Sequence, residues 1–303
     1  MSRIVEIPAA KLLGSDWSAE DQQEALAQLE DSNVIFIPGL SIAIEPDEQA
    51  LFDPNSQLSD GLSKNITLDP HLEKTSGMVK SSPLVETVNR LLSRYNRQTS
   101  AWLELLFGES GREFESQRTT FRPVEIKQRP KLGKVSDSKQ YRYDDTRLHA
   151  DAFIRRPMVN RRILRVFNNI NPFGEPRVWK VGGDFSDYAR RYIDRIRAPY
   201  PGEFALLNLL RLTRWKRSHF DHIMINLHDL GKQDDDFQKN SPQTRFEFPP
   251  NSVWLCFTDS VLHAALAGRY ALEQTFETTI EQMADPSKSP QKRLEALKGM
   301  PLI

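Results

Sequence analysis

Residues 143–157 read YDDTRLHADAFIRRP, and the fold turns on whether this mostly polar run is extended or helical. If residues 148 to 153 are extended, side chains two positions apart emerge on the same face, so His149 and Asp151, flanked by Leu148 and Phe153, reach one point. On a helix they diverge. An imidazole and a carboxylate aimed at one metal, with one further imidazole from elsewhere, form the two-His-one-carboxylate set of non-haem Fe(II) oxygenases, which leaves positions open for cosubstrate and O2. Taken alone, His-x-Asp is a weak signal, and an exposed His beside an Asp is the commoner outcome.

The third ligand has to come from a later strand. Among the six histidines, His263 in VWLCFTDSVLHAALAGRYALEQTF follows one buried strand-like run and precedes another, so a barrel interior can bring it to the first pair. The competing group is His219, His222 and His228 in SHFDHIMINLHD. It lacks the HExxH spacing of a zinc protease and reads as a helix surface, with His228 and Asp229 kept as substrate contacts.

An Fe(II) oxygenase of this type usually binds 2-oxoglutarate, whose distal carboxylate needs a cation inside an otherwise apolar barrel. In RRILRVFNNINP an extended strand puts Ile163, Arg165, Phe167 and Asn169 on one face and Arg162, Leu164, Val166 and Asn168 on the other, so one arginine points inward. A buried guanidinium without an anion is expensive. Arg165, with Asn169 on the same face, is therefore the candidate for the cosubstrate, and an internal ion pair is the competing reading.

The whole chain, 303 residues with 39% hydrophobic and 27% charged side chains, is of ordinary globular composition and able to bury a large core. The start has no apolar run of signal-peptide length, which predicts a cytoplasmic address. Cys256 is the only cysteine, so no internal disulfide forms, and VWLCFTD suggests a buried strand thiol. The net charge is zero but unevenly spread: residues 1–60 hold twelve acids against two bases, and residues 151–217 hold fifteen bases against six acids. That basic stretch suits an anionic partner or a solvated face. No RRM, KH, helix-turn-helix or zinc-finger pattern accompanies it, so no nucleic acid is expected.

Ser18 to Asp21 has the form of a capping box opening a helix through Glu30, and NVIFIPGL reads as a buried strand. Residues 45–83 read as a long loop with short pieces of structure, and Leu84 to Phe107 as a long helix. After Gly111, TTFRPVEI, RILRVFNNIN, RFEF, SVWLCF and YALEQTFETTI read as strands. Helical spacing over Ser186–Arg197, Glu203–Leu212 and about His219–Leu230 marks an insertion between them. The expectation is an α+β domain in which a mainly helical N-terminal third (1–110) supports a β-barrel or sandwich at 111–280, with a helical insertion at 183–230 and a C-terminal tail at 281–303.

The runs RTTFRPVEI, DDTRLHADAF, RRILRVFNNINPFGEPRVWKVG and FPPNSVWLCFTDSVLHAALAGRYALEQTF together resemble the Kdo (3-deoxy-D-manno-oct-2-ulosonic acid) hydroxylases, from about Arg118 to Phe276. The resemblance implies a double-stranded β-helix (jelly-roll, cupin-like) core in which His149, Asp151 and His263 hold Fe(II). It implies hydroxylation at C3 of a Kdo residue on lipid A of the lipopolysaccharide inner core, with 2-oxoglutarate and O2 as cosubstrates and succinate and CO2 as coproducts. Arg269, six positions after His263, is the rival cosubstrate anchor, because many relatives place an arginine on the strand after the distal His. Here the more usual later position holds Glu273 or Gln274, which favours Arg165. Arg155, Arg156, Arg161 and Arg162 are then placed for the sugar carboxylate or lipid A phosphates, Trp179 for stacking on a sugar, and RYIDRIR and RLTRWKR for an anionic inner-membrane face. The alternatives are an oxygenase acting on a protein, nucleic acid or small metabolite, a zinc hydrolase with the same ligands, and a non-catalytic jelly-roll sugar-binding module.

Overall fold

In the computed structural model, which describes residues 3–53, 58, 65–71, 74–126 and 137–303, eleven strands are found. They are β1 (Ile4–Glu6), β2 (Val34–Pro38), β3 (Ile66–Asp69), β4 (Lys74–Ser76), β5 (Glu115–Arg122), β6 (Arg161–Asn169), β7 (Arg177–Gly182), β8 (Gln243–Phe248), β9 (Ser252–Phe257), β10 (His263–Ala267) and β11 (Ala271–Thr279). The larger sheet has the order β1-β2-β9-β6-β11-β5-β3-β4, and the smaller β10-β7-β8. The segment at His149 bridges antiparallel to His263 and so extends the smaller sheet. From β5 onward the chain passes between the two sheets in the alternation of a double-stranded β-helix. Inner-face aromatics fill one part of the space between them: Trp254 stacks on Phe248 at 4.1 Å and on Phe167 at 5.3 Å.

Two helical layers cover the outside. The helix Val85–Phe107 carries buried side chains at Val88, Leu91, Leu92, Tyr95, Thr99, Trp102, Leu103 and Leu106, the three-four spacing of one helical face. That face shares a core with Leu164, Val166, Leu255, Leu272 and Phe276 of the larger sheet. The helix Ala19–Glu30 joins it, opened by Ser18 and Asp21 in a reciprocal capping box. On the other side the helices Phe185–Tyr192, His219–Gln233 and Asp235–Asn240 pack against Leu148, Ala150, Leu262 and Ala264.

The structure refines the sequence reading at several places. Residues 1–110 hold more helix than strand, and they also supply β1 and β2 at one edge of the larger sheet and β3 and β4 at the other. The loop read over 45–83 contains those last two strands; its residues 54–57, 59–64 and 72–73 lie outside the described ones. The stretch after 280 is a folded element, because the helix Pro290–Lys298 buries Leu294 with the insertion helices and Leu302 accepts from the Phe220 amide at 3.1 Å. The insertion extends past Leu230 to Asn240. The strand read as TTFRPVEI stops at Arg122, ahead of Pro123, which has no N–H for the ladder. The sequence reading lacked β7 and β10; HAALA in particular has low strand propensity, and its place is set by pairing with β7.

Candidate active site

The smaller sheet's extra pairing builds the site. The His149 amide donates to the His263 carbonyl at 3.1 Å and the His263 amide to the His149 carbonyl at 2.9 Å. Residues exchanging both bonds are direct cross-strand partners, so their side chains emerge together. The two rings lie 4.7 Å apart. Two residues on, the Asp151 amide donates to the Thr258 carbonyl at 2.7 Å, tying the segment to the chain just beyond β9. His149 and Asp151 thus face inward while Leu148 and Ala150 are buried against the insertion helices. Close packing fixes this segment sideways as well. A Cβ on Gly182 of β7 would meet Leu262 Cβ at 2.7 Å and Leu148 Cδ2 at 2.8 Å.

One ligand atom each from His149, Asp151 and His263 lies within 4.8 Å of the others, and this is the one such group among the described residues. Both imidazoles use Nδ1 for a backbone carbonyl, His149 with Arg147 at 2.8 Å and His263 with Val261 at 2.9 Å. Those contacts select the tautomer with Nδ1 protonated and leave each Nε2 lone pair for a metal. Burial pushes the His149 pKa down to about 3 and lowers that of His263, so both rings are neutral at neutral pH. For Asp151, burial alone would raise the pKa; the Arg165 guanidinium reverses this and holds it well below the usual carboxylate range. Arg165 Nη2 stands 3.0 Å from Asp151 Oδ2 as an ion pair, but off the line of a hydrogen bond, and Oδ2 accepts none from the described residues. Two neutral nitrogens and one carboxylate are a donor set that fits Fe(II).

Arg165 does not end at Asp151. Its Nη1 donates to Glu273 Oε1 at 2.9 Å, and Arg122 Nε donates to the other oxygen of Glu273 at 3.0 Å. Burial would raise the Glu273 pKa, and the two guanidinium groups lower it instead. The buried arginine expected on the inward face of β6 is therefore there, already compensated by two carboxylates. It borders a cleft with a cavity volume of about 200 Å³, whose walls carry Arg122, Arg142, Arg165, Arg177 and Lys232 against Asp145, Asp151 and Glu273. Arg177, on β7 and 3% exposed, donates from Nη1 to the Gly268 carbonyl at 2.5 Å. Its neighbour on that face, Trp179, stacks on His263 at 5.3 Å. His228 stands edge-on to His149 at 5.3 Å, with Nδ1 at 3.1 Å from Asp229.

The family model described as 3-deoxy-D-manno-oct-2-ulosonic acid (Kdo) hydroxylase matches residues 14–301. The chain belongs to the Kdo hydroxylase family. It is similar to a solved structure of the Kdo hydroxylase KdoO, a non-haem Fe(II) and α-ketoglutarate-dependent dioxygenase, in complex with α-ketoglutarate and Fe(III). The two share 39% identity over 99% of this chain and 97% of that one, with a TM-score of 0.88. A cobalt(II) complex of KdoO gives 40% identity, 100% and 98% coverage and a TM-score of 0.89. A succinate and Fe(III) complex gives 39%, 100% and 98%, and 0.88. No curated protein matches the chain. Family membership agrees with the α+β jelly-roll architecture and decides for an oxygenase over the non-catalytic sugar-binding module.

Within this family member, the remaining sequence candidates separate. Trp179 and His228 line the cleft. Arg269 does not: its guanidinium lies 4.9 Å from the Tyr270 ring and 5.3 Å from that of Phe173, with Glu175 at 3.3 Å. Asn169 also falls outside, because its side chain donates to the Glu175 and Phe248 carbonyls and accepts from the Asn171 amide, holding the turn after β6. Arg162 points to the opposite face of β6. It is 1% exposed, bonded twice to Asp259, and cannot meet a sugar. Arg155 is exposed on the loop after Asp151 and is not part of the cleft wall. His222, read as helix surface, is buried with Nε2 at 2.9 Å from the Arg197 carbonyl. Sequence reasoning missed Arg177 and Arg122. The signal for Arg177 was PRVWKVG, where Arg177 shares a face with Trp179 two positions on.

Proposed function

We propose that this protein is an Fe(II)- and 2-oxoglutarate-dependent hydroxylase that adds a hydroxyl at C3 of a Kdo residue of the lipopolysaccharide inner core, with succinate and CO2 as coproducts. One observation carries the reading: in a chain of the Kdo hydroxylase family, His149, Asp151 and His263 meet within 4.8 Å at the wall of a basic cleft. These three residues would hold the iron. Bound there, Fe(II) with 2-oxoglutarate and O2 supplies the oxidising power for breaking a C–H bond.

The chain's own residues do the rest. His149 and His263 keep their Nε2 lone pairs inward because Arg147 and Val261 carbonyls occupy both Nδ1–H groups. Asp151 stays ionised beside Arg165, which orients it from behind. Two anions must enter, a dicarboxylate and a sugar acid, and the excess of guanidinium and ammonium over carboxylate in the cleft compensates them. We assign the distal carboxylate of 2-oxoglutarate to Arg177, which is buried on β7 beside Trp179 in the cleft wall, with Arg165 next to it holding Asp151 and Glu273. His228 and Trp179, with Arg142, are left to contact the sugar. The substrate is lipid-borne Kdo presented at a membrane face. No helix among the described residues is long and apolar enough to cross a membrane.

The test is direct. Purified protein is mixed anaerobically with Fe(II) and 2-oxoglutarate, air is admitted, and succinate is measured with and without Kdo-bearing lipid A. Succinate stimulated by the glycolipid, with one oxygen added to it, is expected. No succinate above the enzyme-free control in either condition removes the oxygenase reading, and stimulation by another acceptor alone removes the Kdo assignment.

A further inference from the structure

The insertion carries an outer face that the chemistry above does not use. Among the described residues twelve large hydrophobic side chains are exposed, and six of them fall in one short stretch: Tyr200, Leu206, Leu209, Leu210, Leu212 and Trp215. The helix Glu203–Leu209 explains the arrangement. Only Phe204 turns inward, against the rings of His219 and His222. Leu206, Leu209 and Leu210 stand at i, i+3 and i+4, so they form one ridge on the outward side, and Leu209 is 78% exposed. A soluble surface scatters single apolar residues; a contiguous ridge of this kind marks a contact.

Charge identifies the contact. From Arg195 to Arg217 the chain has six cations against Glu203 alone. Elsewhere in the basic stretch several arginines have intramolecular partners, Arg156 with Glu277, Arg161 with Glu115, Arg162 with Asp259 and Arg191 with Asp234 and Asp236. Arg211, Arg214 and Lys216 are exposed and form no ion pair among the described residues. Apolar side chains ringed by uncompensated cations suit the boundary of an anionic bilayer, where leucines enter the acyl region and cations meet headgroup phosphates. A second copy of the chain would have to place these cations against each other. The ridge is also wired to the site. Arg214 N donates to the Arg155 carbonyl at 2.9 Å, Trp215 Nε1 to the Pro157 carbonyl at 2.7 Å and Arg217 Nη2 to the Ile154 carbonyl at 2.6 Å. Residues 154–157 begin three positions after Asp151.

We propose that the Leu206–Leu212 ridge and its cations Arg211, Arg214 and Lys216 dock this enzyme peripherally on an anionic phospholipid surface, a role that rests on the reading of a lipid-borne substrate at this site. The surface sits at the loop that leaves the iron-binding segment, so docking would present the cleft to a sugar anchored in the same membrane.

The experiment is vesicle co-flotation of the full chain with liposomes of phosphatidylcholine alone or with 30–40% phosphatidylglycerol (about that range, to reach a strongly anionic surface). Wild type should float with the anionic vesicles, fall away in high salt, and bind phosphatidylcholine at least about tenfold more weakly. Leu206→Ser/Leu209→Ser/Leu210→Ser should lose binding by a similar factor, and Arg211→Glu/Lys216→Glu should lose only the preference for anionic lipid. Both variants should keep wild-type melting temperature and wild-type succinate formation with a deacylated, water-soluble Kdo substrate. Equal flotation of wild type and triple variant, or no preference for anionic lipid, overturns the docking surface while leaving the hydroxylase reading intact. A lipid-free dimer of wild type that the triple variant loses overturns it too, in favour of self-association. Absence of succinate with the soluble substrate in every variant counts against the catalytic reading instead.

Discussion

Replacing Arg162 by methionine distinguishes a structural arginine from a substrate-binding one. The guanidinium is held by Asp259 through Nε to Oδ2 at 2.8 Å and Nη2 to Oδ1 at 2.9 Å, by Ser260 Oγ at 2.9 Å, and by the face of Phe257 at 3.9 Å. Arg162→Met keeps most of the volume and leaves Asp259, 3% exposed, as a buried carboxylate without its cation. Breaking one partner of a buried pair costs about 3–5 kcal/mol. With an unfolding entropy of roughly 2.1 cal/mol/K per residue, a chain of this length then melts about 5–8 °C lower. The double variant Arg162→Met/Asp259→Leu removes the orphan and should recover most of the loss, since an apolar pair of similar volume often matches a buried ion pair. Differential scanning calorimetry of wild type, single and double variants measures this, and succinate assays over a range of Kdo-lipid concentration should give an unchanged KM. An unchanged melting temperature together with a raised KM for the glycolipid would refute the structural role and return Arg162 to the substrate.

Arg177→Ala should raise the KM for 2-oxoglutarate at least about tenfold with Co(II) or Fe(II) affinity unchanged in calorimetric titration, whereas Arg165→Ala should weaken the metal by about 10–100-fold by releasing Asp151. The reverse pattern would make Arg165 the cosubstrate anchor. Gly182→Ala forces a methyl against Leu262 and Leu148, so it should cost about 1–3 kcal/mol in thermal melts and lower metal affinity without altering a ligand; wild-type metal binding would show that this packing does not set the His149–His263 geometry. Glu203 hydrogen-bonds Arg197 and the Tyr200 amide, which lowers its pKa from 4.5 to about 2 in the folded chain. A depressed carboxylate stabilises above its unfolded pKa, so its contribution is present above pH 4.5 and vanishes as pH falls through 2. Melting temperature followed by circular dichroism from pH 5 to 2 should therefore drop less steeply in Glu203→Gln than in wild type, and parallel curves would show that the pairing does not persist in solution.

Local patterning along the chain sets which side chains share a face and where the helices begin. Period-two alternation places His149 with Asp151 and Arg165 with Phe167, because consecutive side chains of an extended chain must point to opposite faces. Helical periodicity with a long apolar face determined Val85–Phe107, and the Ser18 capping box determined where Ala19–Glu30 begins. What local pattern cannot carry is which strands pair and where a charged side chain finds its counterion. The His149–His263 register joins residues more than a hundred positions apart, and β10 is held by its pairing with β7 rather than by its alanine-rich composition. The sequence reading chose His263 from six histidines by its place between two strand-like runs, and only that ladder makes it the neighbour of His149. The same limit governs the arginines. Arg162, Arg165 and Arg177 are equivalent as letters, but Asp259, the Asp151–Glu273 pair and the cleft wall give them three different fates, since a buried cation's role follows from the anion within a few ångströms of it.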